Sequence, residues 1–134
     1  MAQPGLAAVK PAGQGPATGP LLEIRNLHIG FRKADSLRRV VHGAELAIHP
    51  NETLALVGES GSGKTVTAQA ILRLIPESLI AYPEGQILFE GRDVLRLAEP
   101  ELRALRGDRI SMIFQEPMTS LNPLHTVGRQ LTET

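Results

Sequence analysis

Leu21 to Ile29, LLEIRNLHI, sets apolar Leu22, Ile24, Leu27 and Ile29 among polar residues, and Val40 to Ile48 repeats the alternation around Gly43. A period near two sends successive side chains to opposite faces of a sheet, so both stretches are expected as strands, paired antiparallel. Pro50-Asn51-Glu52 supplies a turn, after which Thr53 to Val57 is continuously apolar. That is the pattern of a strand covered on both faces in a parallel sheet, and the strand is expected to be central. From Lys64 to Ile75 the apolar residues Val66, Ala70, Ile71, Leu74 and Ile75 form one helical stripe that Pro76 ends.

Beyond Pro83-Glu84-Gly85, QILFEGRDV reads as a strand and a turn, Pro100 to Leu105 as a short helix and Ile110 to Phe114, ISMIF, as another short strand. Gln115-Glu116-Pro117 breaks the pattern. The remainder, MTSLNPLHTVGRQLTET, is divided by Pro123, with a helix expected from near Val127. Residues 1–20 are dominated by Ala, Pro and Gly, with too few large apolar side chains to offset the entropy of ordering. They are expected to be a disordered leader, with residues 21–134 carrying the fold.

Composition narrows the classes. A chain of 134 residues is one domain at most, able to bury roughly 65 to 70% of its unfolded surface. Fourteen basic residues balance fourteen acidic ones, so bulk charge gives no reason to expect nucleic acid as a partner. The chain contains no cysteine, which excludes disulfides, thiolate nucleophiles and zinc-thiolate sites and suits a reducing cytoplasm. It shows neither a secretory signal nor a window of the roughly 18 apolar residues a membrane span needs, so membrane work would go through a partner.

Between the strand TLALV and the helix stands Gly58-Glu59-Ser60-Gly61-Ser62-Gly63-Lys64-Thr65, which meets the pattern G-x-x-x-x-G-K-[ST]. Its small residues let successive backbone N–H groups turn inward and form a concave anion nest. The following helix aims its positive end at the same place. Lys64 can reach the β- and γ-phosphates of a nucleotide as a point charge, and the Thr65 hydroxyl can ligate Mg²⁺. Strand, glycine loop and helix together predict an α/β fold of the P-loop NTPase class.

Hydrolysis needs more, an oriented water and a second acidic group to fix the metal. Glu90 follows the apolar run Ile87-Leu88-Phe89 but sits between turn residues, and it reads as a solvent-side glutamate. Gln115, directly after ISMIF, would lie at the carboxyl edge of a parallel strand, where its amide can coordinate a metal and position a water; an ordinary polar loop residue is the equal alternative. Phe31 follows the first strand and reads first as a core phenylalanine, with stacking on an adenine ring as its functional alternative. The four histidines show no metal-like spacing, and Arg103, Arg106 and Arg109 read as a solvated charged face.

VGESGSGKT together with ISMIFQEPMTSLNPLHTVGRQL resembles the ATP-binding subunits of ABC transporters, in the peptide and nickel importer branch. The tracts GFR, ETLALVGESGSGK, ILRLIP, MIFQEPM and SLNPLHT are similar to the amino-terminal cassette of the tandem ATPases of bacterial microcin C and peptide importers. The first motif is shared by many P-loop proteins; the second is the specific one. The resemblance implies a RecA-like parallel-sheet core with an amino-terminal antiparallel β subdomain. It implies that Gln115 is the Q-loop glutamine, contacting Mg²⁺ and the attacking water, and that Phe31 is the adenine-stacking aromatic. Glu116 to Leu124 would open the helical subdomain that docks on the permease.

The implied partners are transmembrane permease subunits, a second ABC cassette and, indirectly, a periplasmic solute-binding protein. The implied place is the cytoplasmic face of the bacterial inner membrane, as a peripheral subunit. The family's LSGGQ-type signature, Walker B aspartate with its catalytic glutamate, and switch histidine do not occur among these 134 residues. The chain is therefore expected to be the front part of a cassette, incomplete at its carboxyl end and without turnover of its own. A non-catalytic nucleotide-binding fragment is the competing reading, and a GTPase or small-molecule kinase a third, which the lack of an NKxD motif disfavours. Peptide, microcin-like compound and nickel all remain open as cargo.

Overall fold

The computed structural model describes residues 7–9, 19–34, 36–115 and 122–132. The chain divides into two compact units, Met1–Leu102 and Arg103–Thr134.

In the first unit the two alternating segments form the expected antiparallel pair, β2 (Leu22–Lys33) and β3 (Ser36–Ile48). Both run further than the sequence pattern suggests. The alternation fades at Gly30-Phe31-Arg32-Lys33, yet the backbone pairing continues to Lys33 opposite Ser36, beside a turn in which Ala34 takes φ 40°. The other edge of β2 pairs with β5 (Ile80–Phe89), and β5 pairs with the short β6 (Arg92–Asp93), giving a four-stranded antiparallel sheet in the order β3-β2-β5-β6. Pro83-Glu84-Gly85 does not end β5, because Gly85 absorbs an irregularity there. At φ 96° it lies so close to β2 that a Cβ would meet the Asn26 carbonyl and the Leu27 backbone.

One face of this sheet builds the core. Leu22, Ile24, Leu27, Ile29, Val41, Ala44, Ile80, Ile87 and Phe89 are buried, together with Val94 of a 3-10 turn after β6. Helix α1 (Lys64–Ile71) buries Thr67 and Ala70, and Leu102 of helix α2 (Glu99–Leu105) is fully buried. Helix α1 stops four residues before the expected Ile75, since Arg73 turns to φ 47°. There the Arg73 guanidinium donates to the Leu97 carbonyl at 2.8 Å and forms an ion pair with Glu77. At the start of α2 the Glu101 carboxylate accepts the Ala98 N–H at 3.1 Å and pairs with Arg92. These two bonds hold its pKa below the usual carboxylate value, the backbone bond contributing most.

The strand before the glycine loop departs from expectation. Only Ala55–Val57 forms β4, and it pairs antiparallel with β1 (Ala7–Val9) in a separate two-stranded sheet, Ala7 opposite Val57 and Val9 opposite Ala55. It is not central: Val57 is 46% exposed. A continuous apolar run signals cover on both faces only when parallel neighbours flank it, and no parallel sheet is formed among the described residues. Ala7–Val9 also lies inside the stretch expected to be without order; the rest of residues 1–18 lies outside the described residues.

In the second unit Ile110–Phe114 is not a strand. A single parallel bridge joins Arg106 and Ile110, and the Gly107 N–H donates to the Ile110 carbonyl at 2.9 Å. Without a sheet to join, the apolar residues that follow face solvent, with Ile113 95% and Phe114 48% exposed. Helix α3 (Val127–Thr132) begins where expected. Its Gln130 amide holds the preceding turn by accepting the Asn122 N–H at 2.9 Å and donating to the carbonyls of Asn122 and His125. Of the expected docking stretch, residues 116–121 lie outside the described residues, and Leu124 is exposed. Among the described residues no helix is long and apolar enough to cross a membrane.

Candidate phosphate-binding site

The loop from Gly58 to Thr65 connects β4 to α1, as the sequence pattern requires. It turns tightly: the Ser62 N–H donates to the Glu59 carbonyl at 3.2 Å, and Gly61 takes φ 81°. Gly63, the residue before α1, takes φ 92° and is buried against β3. A Cβ there would come within 2.7 Å of the Val41 Cγ2 and 3.0 Å of the Val40 carbonyl oxygen, so only glycine fits in both conformation and space. The Thr67 N–H closes the first helical turn on the Gly63 carbonyl at 2.8 Å.

The Lys64 side chain folds back over the loop. Its Nζ donates to the Gly58 carbonyl at 2.7 Å, the Glu59 carbonyl at 2.8 Å and the Ser62 hydroxyl at 3.3 Å. All three acceptors are neutral, and no carboxylate pairs with Lys64 among the described residues. Helix α1 opens without a counter-charge as well, having no side-chain cap at Gly63 and no acidic residue in its first turn. Its first N–H groups have no acceptor within the helix and so point towards the loop. An ammonium on neutral oxygens beside an uncapped helix end is a place for an anion, and the residues present fit a phosphate group.

For Mg²⁺ the described residues offer the exposed Thr65 hydroxyl in the first turn of α1. No group of three or more His, Asp or Glu suited to a metal ion occurs among them. Thr65 would therefore offer such an ion one oxygen, leaving its remaining positions to be filled by phosphate oxygens and water.

Phe31 lies within β2, not after it. It is half-buried, opposite Arg38 on β3 and Ile80 on β5. Because side chains alternate along a strand, it shares the face of Ile29, whose partner Val41 touches Gly63. The structure therefore brings Phe31 and the phosphate loop onto one face of the sheet. Gln115 belongs to the second unit, where it is exposed at a bend and does not close a strand. Glu90 is exposed in the turn between β5 and β6 at φ 48°, in keeping with a solvent-side residue. His28 and His42 stand edge to face with ring centroids 6.5 Å apart, a pairing across strands that no spacing in the sequence announces.

The sequence pattern of ABC transporters matches residues 41–133, a stretch that includes the loop. The chain belongs to the ABC transporter family. Over 116 residues it is 53% identical to the peptidoglycan transport ATP-binding protein YejF of Agrobacterium fabrum, a stretch covering 87% of this chain and 21% of that protein. Over 113 residues it is 50% identical to the oligopeptide transport ATP-binding protein OppD of Bacillus subtilis, covering 84% and 32% of the two. The dipeptide transport ATP-binding protein DppD of Bacillus subtilis is 46% identical over 113 residues, or 84% and 34%. The chain thus spans between a fifth and a third of the length of these curated relatives. Within this ABC transporter chain, the loop at Gly58–Thr65 carries the ammonium of Lys64 and leads into the uncapped helix end.

Proposed function

We propose that this chain carries the phosphate-gripping part of the ATP-binding subunit of an ABC importer, which couples ATP binding and hydrolysis to the uptake of peptides or peptide-like compounds. The observation that carries the reading is Lys64, held over the loop by three neutral oxygens at the mouth of an uncapped helix. A phosphate entering the nest replaces those oxygens as its partner and supplies the negative charge that the site lacks. The Thr65 hydroxyl would hold Mg²⁺, which when bound neutralises charge on the phosphate oxygens. Phe31 offers an aromatic face for the adenine on the same side of the sheet, and Gln115 would position water and metal in the assembled site. The names of the relatives, which concern peptidoglycan, oligopeptide and dipeptide transport, support a peptide-type cargo.

In this reading the permease subunits receive the second unit, a second cassette completes the nucleotide site, and a periplasmic solute-binding protein delivers cargo on the far side of the inner membrane. A tandem arrangement has its own support: the matched stretch is a much smaller share of the Agrobacterium relative than of the two Bacillus ones, so that relative is the longer chain. The chain should bind ATP without releasing phosphate above background, since it holds neither signature nor Walker B residues. Phosphate release measured on the purified chain tests this. Steady turnover that disappears in Lys64→Ala would show that the site is complete without those residues and would overturn the division of labour.

A further inference from the structure

The β2–β3 hairpin places a second cation beside the nucleotide face. Ile29 stands opposite Val41, Gly30 opposite Arg39 and Phe31 opposite Arg38, with Val40 as the extra residue on β3. Directly opposed residues of an antiparallel pair project to the same side, so Arg38 shares the face of Phe31. The packing of Leu37 gives the same answer independently. A Cβ on Gly30 would lie 2.7 Å from the Leu37 Cγ, so Leu37 covers the opposite face, and its neighbour Arg38 projects to the side of Ile29 and Phe31.

That side is the one on which the loop is seated, through the contact of Gly63 with Val40 and Val41. Arg38 lies three residues before Val41 on the same strand, about 10 Å away at the rise of a β-strand. It therefore stands between the aromatic face of Phe31 and the mouth of the phosphate loop. Arg38 is exposed, and no hydrogen bond or ion pair holds it among the described residues. Arg39, on the other face, is turned to Glu84 at 3.8 Å.

We propose that Arg38 binds the α-phosphate of the nucleotide. A nucleotide with its base on Phe31 and its terminal phosphates in the Gly58–Thr65 loop must run its ribose and α-phosphate past this side chain. A guanidinium offers paired N–H donors to two oxygens of such a group. Arg38 thereby becomes a contact that ADP and ATP make equally, whereas Lys64, which serves the β- and γ-phosphates, keeps only the β-phosphate in ADP. This inference rests on the nucleotide-binding reading given above.

Isothermal titration of the 134-residue chain with ATP and with ADP, in the wild type, Arg38→Ala, Arg38→Lys, Arg39→Ala and Lys64→Ala, tests it. Arg38→Ala should weaken both nucleotides by the same factor, about tenfold. Arg38→Lys should recover part of that loss, Arg39→Ala should match the wild type, and the thermal midpoint of Arg38→Ala should be unchanged. Arg38→Ala that binds like the wild type, loses ATP alone, or is matched by Arg39→Ala overturns the assignment. If the wild type binds and Lys64→Ala does not while Arg38→Ala is unaffected, only the role of Arg38 falls. If the folded wild type binds neither nucleotide, the nucleotide reading falls with it.

Discussion

Gly63 rests on Val41: a Cβ at Gly63 would stand 2.7 Å from the Val41 methyl, at a backbone φ of 92°. The phosphate loop is thereby fixed to the antiparallel sheet and not only to the strand and helix that flank it. Gly63→Ala should lower stability by about 1–2 kcal/mol from the left-handed conformation alone, with an added packing cost. A thermal melt followed by circular dichroism would show a midpoint several degrees lower. Combined with Val41→Ala, the loss should be less than additive, because the second change clears the space the first one needs. An unchanged midpoint in Gly63→Ala would contradict the seating of the loop.

Thr67 is 1% exposed in α1, and its hydroxyl finds no hydrogen-bond partner among the described residues. A buried hydroxyl without a partner costs more than an isosteric methyl, so Thr67→Val should raise stability by about 1 kcal/mol. Chemical denaturation would read this as a higher midpoint at constant slope. A lower midpoint would mean that the hydroxyl is bonded in solution.

Tyr82 is the only tyrosine of the chain. Burial pushes its phenol above the ordinary value of 10, with smaller effects from Arg73, which lowers it, and Glu77, which raises it. The folded state therefore holds this proton more tightly than the unfolded state does. Its contribution to stability is complete below pH 10 and is lost as pH rises through the folded-state value. Absorbance at the tyrosinate band should give a single titration with a midpoint above that of the chain in denaturant. Coincident midpoints would show that the phenol is solvated.

Ile113 and Phe114 expose apolar surface in the second unit, and Leu131 on α3 is 73% exposed. Exposed side chains of this kind drive association more than they support the fold. Ile113→Asn with Phe114→Ser should reduce light scattering on concentration while leaving the melting midpoint of the chain within about a degree. A large drop in that midpoint would mean the two residues pack inside the folded molecule.

The alternation at Leu22, Ile24, Leu27 and Ile29 made β2 and β3 legible because one face of that sheet is buried and the other wet. The loop was legible for a different reason: its pattern fixes Gly58, Gly63 and Lys64 by type and spacing. Thr53–Val57 and Ile110–Phe114 misled, since an apolar run reports what a strand is suited to cover and not which neighbours are present. The β1–β4 pairing could not be read, as three residues in an Ala-, Pro- and Gly-rich stretch carry no period. Arg38 was hidden too, because its place beside Phe31 depends on the register shift at Val40, which no local pattern encodes. Phe31 stands out by residue type, but the fading alternation hides that it lies inside β2 and not after it.

The proposed function rests on Gly58–Thr65 gripping phosphate. Equilibrium binding of ATP to the purified chain, compared with Lys64→Ala, tests it most directly. Saturable one-to-one binding that weakens at least about tenfold when the ammonium is removed is the expected result. Equal affinities in the two proteins, or no binding by a folded wild type, would contradict it.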